Sequence, residues 1–224
     1  MMILAIETST PVCSVSLQVG GGRVWEKRAE GRGVHSEKTF LFARELMERA
    51  GVTIPDLDAV LYSNGPGSYT GLRIGTAAIK GMLFGRNVAL HTFPTLLSFA
   101  AGLPHDTTYK TIYSVIDARR QHLYVQKVSW DGGKLSPEGE PKVEELTTIE
   151  TSLEKGDILV GTGWDRLDIP EQKNVDTYGL QAVSANNLIT AWNRKDLKSH
   201  FTESDPRTFE PEYLNMAQVN NSSI

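Results

Sequence analysis

The sequence predicts an α/β fold in two units, and three features carry that prediction. Short strands of apolar and small polar residues open each half, helices with one apolar face follow, and in each half a buried strand runs into a glycine-rich turn. At 224 residues the chain suits one large unit or two of about 100 residues each. Its 40% hydrophobic and 22% charged residues are ordinary for a globular protein and far from the composition of disorder.

The elements follow in order. Residues 2–6 are a nearly continuous apolar run. Residues 12–19 then alternate Cys13, Val15, Leu17 and Val19 with Ser14, Ser16 and Gln18. Gly20, Gly21 and Gly22 supply a turn, and Val24 and Trp25 open a third strand, so the chain starts as an antiparallel meander. Over 36–50, Phe40, Ala43, Leu46, Met47 and Ala50 recur at helical spacing, and Gly51 is placed to end that helix. A buried strand over 57–62 enters Asn64-Gly65-Pro66-Gly67-Ser68, and a helix over 70–84 follows despite three internal glycines. A strand over 87–90 and a short helix over 96–101 close the first unit.

Residues 104–110 are polar and turn-rich, which places the boundary there. The expected organisation is a first lobe over 1–103, a second over 104–205 and a tail over 206–224 that packs back on the first. In the second lobe, 111–116 and 122–128 form a hairpin about 117–121, 132–141 is an exposed loop and 143–153 a helix. A strand over 157–160 enters Gly161-Thr162-Gly163-Trp164, and the last helix covers 182–192. The halves share this order of elements without aligning as a sequence repeat.

A formal net charge of −4 offers no basic stripe to neutralise a phosphate backbone, so a role on RNA leans on partners. The single cysteine, Cys13, lies in an alternating strand and reads as a small buried hydrophobe. The five histidines form no His-x-x-x-His pair, so no transition-metal site is expected. The N-terminus has no charged region followed by an apolar stretch and cleavage site, and no apolar run is long enough to span a bilayer. The expectation is a cytoplasmic protein without a membrane partner.

The sharpest local signal is Gly65-Pro66-Gly67-Ser68-Tyr69-Thr70-Gly71-Leu72-Arg73-Ile74-Gly75. A strand ends, the backbone turns on glycines, and hydroxyls precede a helix whose first N–H groups lack partners, which suits an anion. Ser68 and Thr70 are the candidate donors and Arg73 the charge partner; a purely structural turn is the equal alternative. No Gly-Lys-Ser/Thr follows, so this is not a Walker A loop. Glu7 and Thr8, at the end of the first strand, could hold metal and phosphate in a phosphotransfer fold or simply bond within a turn. Inside the helix, Gly71, Gly75 and Ala78 form one small-residue stripe and Ala77 and Gly81 another. Each glycine costs about 1 kcal/mol of propensity, so something approaches closely, either within the chain or from another subunit. Asp117 and Arg119 pair with each other or project into a cleft.

Ile6-Glu7-Thr8-Ser9-Thr10, His35 near a helix start, the 65–75 segment, Ile116-Asp117-Ala118-Arg119, Gly161-Thr162-Gly163-Trp164 and Pro211-Glu212-Tyr213-Leu214 together resemble the TsaB (YeaZ) family along nearly the whole chain. The resemblance implies an α/β, two-lobed actin-like, sugar-kinase-like (ASKHA, ribonuclease H-like) fold with mixed sheets flanked by helices. It implies a non-catalytic subunit in the formation of N6-threonylcarbamoyladenosine at adenosine 37 of tRNAs reading ANN codons. The implied partners are the catalytic homologue TsaD and the ATPase TsaE, with tRNA engaged through the complex and a homodimer when the chain is alone. No tightly bound cofactor is implied; ATP and magnesium enter at the assembled complex. First-lobe helices make the family's dimer contact, which would put Phe40, Ala43, Met47, Gly71, Gly75 and Ala78 there. The catalytic relative carries His-x-x-x-His on the helix that here begins near His35, and this chain has Thr39 at the second position. Two other readings remain: an ATP-dependent phosphotransferase or ATPase acting alone through Glu7, Ser68 and Arg73, and a glycoprotease-like metallopeptidase.

Overall fold

The computed structural model of the chain describes residues 1–104 and 111–214. Twelve strands and five α-helices are defined over these residues. In chain order they are β1 (Ile3–Glu7), β2 (Val12–Gln18), β3 (Val24–Glu30), α1 (Val34–Ala50), β4 (Ala59–Ser63), α2 (Tyr69–Leu83), β5 (Ala89–Phe93) and α3 (Thr95–Ala101). There follow β6 (Thr111–Asp117), β7 (His122–Asp131), β8 (Lys134–Pro137), β9 (Lys142–Glu145), α4 (Leu146–Ser152), β10 (Ile158–Gly161), β11 (Asp176–Tyr178), α5 (Asn186–Asn193) and β12 (Thr202–Ser204).

The strands form two mixed sheets with a shared plan. The first runs β12-β5-β4-β1-β2-β3 and the second β11-β10-β6-β7-β8, with β9 also paired to β7. In each, an antiparallel opening (β1–β2–β3; β6–β7–β8) continues on the other side of its first strand into parallel partners (β4, β5; β10, β11). This is the two-lobed, actin-like arrangement, and the repeat that the residues do not display is present in the topology.

Alternation along β1 sorts the core. Leu4 and Ile6, opposite Leu17 and Val15, point toward α1 and α2 and pack with Ala43, Leu46, Leu72 and Ile79. Each buried Leu, Ile or Val among them contributes about 1.5–3 kcal/mol relative to exposure. Ile3 and Ala5 point the other way, into a core shared with α3, α5 and the second sheet's Ile112, Ile116, Val128, Ile158 and Val160. The outer face of the second sheet packs Tyr113, Val115, Leu123 and Leu159 against Leu146 and Ile149 of α4.

Gly51 ends α1 in the left-handed region at φ 67, its N–H turned back to the carbonyls of Glu48 and Met47. Ser68 caps α2, its hydroxyl accepting from Gly71 N–H at 3.2 Å.

Several expectations are corrected. The loop expected over 132–141 contains β8, and the helix expected from 143 starts as strand β9 and becomes helical only at Leu146. The strand expected over 87–90 lies at Ala89–Phe93, and the last helix begins at Asn186. Strand β12, within the stretch expected to form the second lobe, adds to the edge of the first-lobe sheet beside β5. Of the boundary segment, only Pro104 lies among the described residues.

Candidate functional site

A cleft of about 1430 Å³ opens between the two sheets, and nearly every motif singled out in the sequence meets there. The first lobe contributes Ser9, Thr10, His35 and residues 67–71; the second contributes residues 116–119 and 161–166. Both walls are built alike. A strand ends in an acidic residue, Glu7 on β1 and Asp117 on β6, beside a parallel strand that ends in a glycine turn, after β4 and after β10.

The first wall is held by backbone contact. Ser68 N–H donates to Ser9 carbonyl at 2.6 Å, and a Cβ on Gly67 would fall on that same carbonyl. A Cβ on Gly71 would overlap the Thr8 carbonyl, and one on Gly75 would overlap Thr8 Oγ1 and reach Tyr62 hydroxyl at 2.6 Å. Gly65, at φ 125, lies under Glu212, whose N–H donates to Asn64 carbonyl at 2.7 Å. The tail after β12 thus straps the turn: Phe209 meets Tyr62 edge-on with ring centroids 6.1 Å apart, and Lys80 pairs with Glu210 at 2.8 Å.

These contacts correct the interface reading. Ala43, Met47, Gly71, Gly75 and Ala78 are buried in the chain's own core, because the stripe that needed a close neighbour finds it in Thr8 and Tyr62. Of the six residues assigned to that contact, Phe40 alone is exposed, at 50%. It lies beside Gly81, the outward stripe of α2.

The phosphate set is also divided. Glu7 is fully buried: Ser9 N–H and Ser9 hydroxyl donate to its Oε1 at 2.6 and 2.5 Å, and Ser63 hydroxyl donates to Oε2. Burial raises its pKa above the ordinary value, against the lowering effect of Ser63 and Ser9. Thr8 is buried beneath α2. Ser68 and Thr70 reach the cleft wall, Ser68 with its hydroxyl already engaged as a cap. Arg73 lies outside the cleft and donates to Tyr69 hydroxyl at 2.6 Å, which holds its pKa up.

His35 sits in the wall with Nε2 against the carbonyls of Thr10 (2.8 Å) and Val12 (3.2 Å). Thr39, one turn on, is buried and donates to His35 carbonyl at 2.7 Å, with Cys13 Sγ 3.4 Å from its hydroxyl. Among the described residues no three His, Cys, Asp or Glu side chains gather as a metal site, and no helix is long and apolar enough to cross a membrane. On the second wall Asp117 pairs with Arg166, a partner unseen in the sequence, and accepts from the Arg119 backbone N–H at 2.8 Å. The Arg119 side chain stays on the cleft wall, so the pairing of Asp117 with Arg119 is corrected.

Comparison with known proteins agrees with this arrangement. A family model described as TsaD, tRNA N6-adenosine threonylcarbamoyltransferase, matches residues 30–219. A Haemophilus influenzae relative named "tRNA threonylcarbamoyladenosine biosynthesis protein TsaB" is 25% identical over 223 residues, spanning 96% of this chain and 93% of its own. The Escherichia coli protein of that name is 28% identical over 170 residues, 73% and 72% of the two chains. A solved structure, "YeaZ from Pseudomonas aeruginosa", superposes with a TM-score of 0.77 over 95% of this chain and 99% of that one at 23% identity, a likeness of fold. The chain belongs to the TsaB (YeaZ) family of tRNA threonylcarbamoyladenosine biosynthesis proteins, within the wider group matched by the threonylcarbamoyltransferase model.

Proposed function

We propose that this chain is a non-catalytic scaffold that activates the catalytic homologue TsaD, by pairing with it, for threonylcarbamoyl transfer to adenosine 37 of tRNAs reading ANN codons. The observation carrying this reading is what the chain does at the two positions of the relative's metal motif. His35 spends Nε2 on two backbone carbonyls, and Thr39 spends its hydroxyl on His35 carbonyl. Glu7, the acid nearest them on β1, is enclosed by Ser9 and Ser63. Groups that would serve chemistry are used here to fix strand ends and a helix start.

A partner site fits the outer face of α1 and α2. Phe40 is 50% and Phe84 83% exposed, and the small residues Ala77 and Gly81 are exposed on α2, Gly81 beside the Phe40 ring. Apolar groups left in water on a small-residue face favour close helix packing with a second protein. Two copies of the chain would pair through this face when the homologue is missing. The ATPase TsaE, ATP and magnesium join at the assembled complex, and tRNA is engaged through it.

The test is modification of tRNA by the activated threonylcarbamoyl donor, TsaD and TsaE, with and without this chain. Modification that needs the chain, with no ATP turnover by the chain alone, is the expected result; equal modification without it overturns the reading. A second reading, ATP hydrolysis by the chain itself, is favoured by one observation: Ser68 and Thr70 of the first lobe line the same cleft as Arg119 and Thr162 of the second. Turnover by the purified chain that falls in Thr70→Val would support it.

A further inference from the structure

Far from the cleft, where α1 covers the β3 edge of the first sheet, lies a cationic cluster that the reading above does not use. Trp25 is half-buried on β3, which is an edge strand. The guanidinium of Arg49, in the last turn of α1, sits 4.5 Å from its ring centroid, and that of Arg23 sits 6.0 Å away. Neighbouring cations on these elements are paired: Lys27 with Glu45, Arg28 with Glu30 and Arg44 with Glu48. Arg23 and Arg49 are exposed and have no carboxylate partner among the described residues, in a chain whose 27 acidic side chains outnumber its 23 basic ones.

Two unpaired cations beside one indole repel each other, and an anion bound by either relieves that repulsion. The Arg49 guanidinium lies within cation–π range of the indole and that of Arg23 at its limit, and a guanidinium free of a carboxylate can donate two N–H bonds to one phosphate. Lys38 and Phe42 precede Glu45 and Arg49 on the same face of α1, a row about 16 Å long at 1.5 Å per residue. Lys27 Nζ lies 5.9 Å from the Phe42 ring. With Glu45 neutralised by Lys27, the surplus charge of the pattern is Arg23, Lys38 and Arg49 with aromatics interleaved, which suits backbone contact without sequence reading.

We infer that the Arg23–Trp25–Arg49 patch is an auxiliary contact for the phosphate backbone of RNA. The inference rests on the tRNA-modification reading. It lets an acidic chain add to RNA affinity locally while its partners supply the main site.

The test compares the assembly of this chain with TsaD, wild type or carrying Arg23→Gln and Arg49→Gln, binding fluorescently labelled tRNA over a range of salt. Losing two phosphate contacts lowers the slope of log affinity against log salt by about 2 and weakens binding about tenfold at low salt. Size-exclusion chromatography follows subunit association, and thermal melting follows the fold; both are expected to stay unchanged. Unchanged affinity and slope overturn the patch alone, leaving the scaffold reading standing. Loss of subunit association in the variant also overturns it, by making the patch a protein contact. A wild-type assembly that binds no tRNA removes both readings.

Discussion

Thr8 lies directly beneath α2, with its carbonyl where a Cβ of Gly71 would be and its hydroxyl where a Cβ of Gly75 would be. Neither obstacle is the end of a flexible side chain that can swing away, since Thr8 is itself buried and near Tyr62 hydroxyl at 3.3 Å. Gly75→Leu is therefore expected to destabilise the fold by at least about 1–3 kcal/mol, the cost of overpacking, read as a lower urea midpoint. A midpoint equal to wild type would place the helix farther from β1 than described. The sequence made the close approach legible, because several glycines in one helix need a neighbour. It did not say which neighbour, since periodicity records spacing along one element and not what lies opposite. Glu7 poses a related problem: its position at a strand end was readable, its enclosure by Ser9 and Ser63 was not, because Ser63 is 56 residues away. Burial raises the Glu7 pKa in the folded state, so the native protein keeps this proton to higher pH than the unfolded chain. Its contribution to stability is full below the ordinary carboxylate value of 4.5 and is lost as pH rises through the folded value. Glu7→Gln cannot titrate, so the variant's Tm should gain on the wild type's as pH is raised from 4.5 towards neutrality. A difference in Tm that does not vary with pH would remove Glu7 as the source.

Elements with a long apolar period were readable; those fixed by a distant strand were not. Helix α1 presents five apolar positions at helical spacing and a glycine stop, and it lies within two residues of its expected start. By contrast β9, with sequence Lys-Val-Glu-Glu, has one apolar residue and becomes a strand only because β7 pairs with it. Strands β11 and β12 are three residues each and depend on β10 and β5 for their hydrogen bonds. The cleft was legible as a set of motifs, because a strand running into glycine is a local pattern; that the tail returns to the first lobe was expected as well, but not its partners Asn64, Tyr62 and Lys80, which lie far away along the chain. For helices α1 and α2, sequence and structure together leave Phe40 as the informative position. Its ring is half exposed and lies 3.7 Å from where a Cβ of Gly81 would stand. Phe40→Asp should leave Tm within a few degrees of wild type, as surface changes usually do. It should reduce the chain's stimulation of tRNA modification at least tenfold, the loss expected when a central apolar anchor is removed. Full stimulation by this variant would move the partner contact off this face.

The two lobes are joined by more than a hinge. Helices α3 and α5 lie between the sheets, and their Leu96, Leu97, Phe99, Leu188 and Ile189 belong to one core with Ile3 and Ala5 of the first sheet and Ile112, Ile158 and Val160 of the second. Polar ties cross the same boundary: Arg28 on β3 donates to the carbonyls of Leu180 (2.7 Å) and Val183 (3.1 Å), and Ala185 N–H donates to Ser14 hydroxyl at 2.7 Å. Elements that share a buried core lose their packing together, so the folded chain should unfold in one cooperative step. Leu188, fully buried where α5 meets both sheets, tests this. Leu188→Ala is expected to cost about 2–5 kcal/mol through lost contacts and the cavity left behind, lowering Tm by roughly 2–4 °C per kcal/mol for a chain of this size. Calorimetry should show a single transition moved down intact, matched by near-UV and far-UV dichroism. If instead one transition stayed at the wild-type temperature while another fell, the lobes would be separate cooperative units, and the cleft between them would owe its width to a linker and not to the shared core.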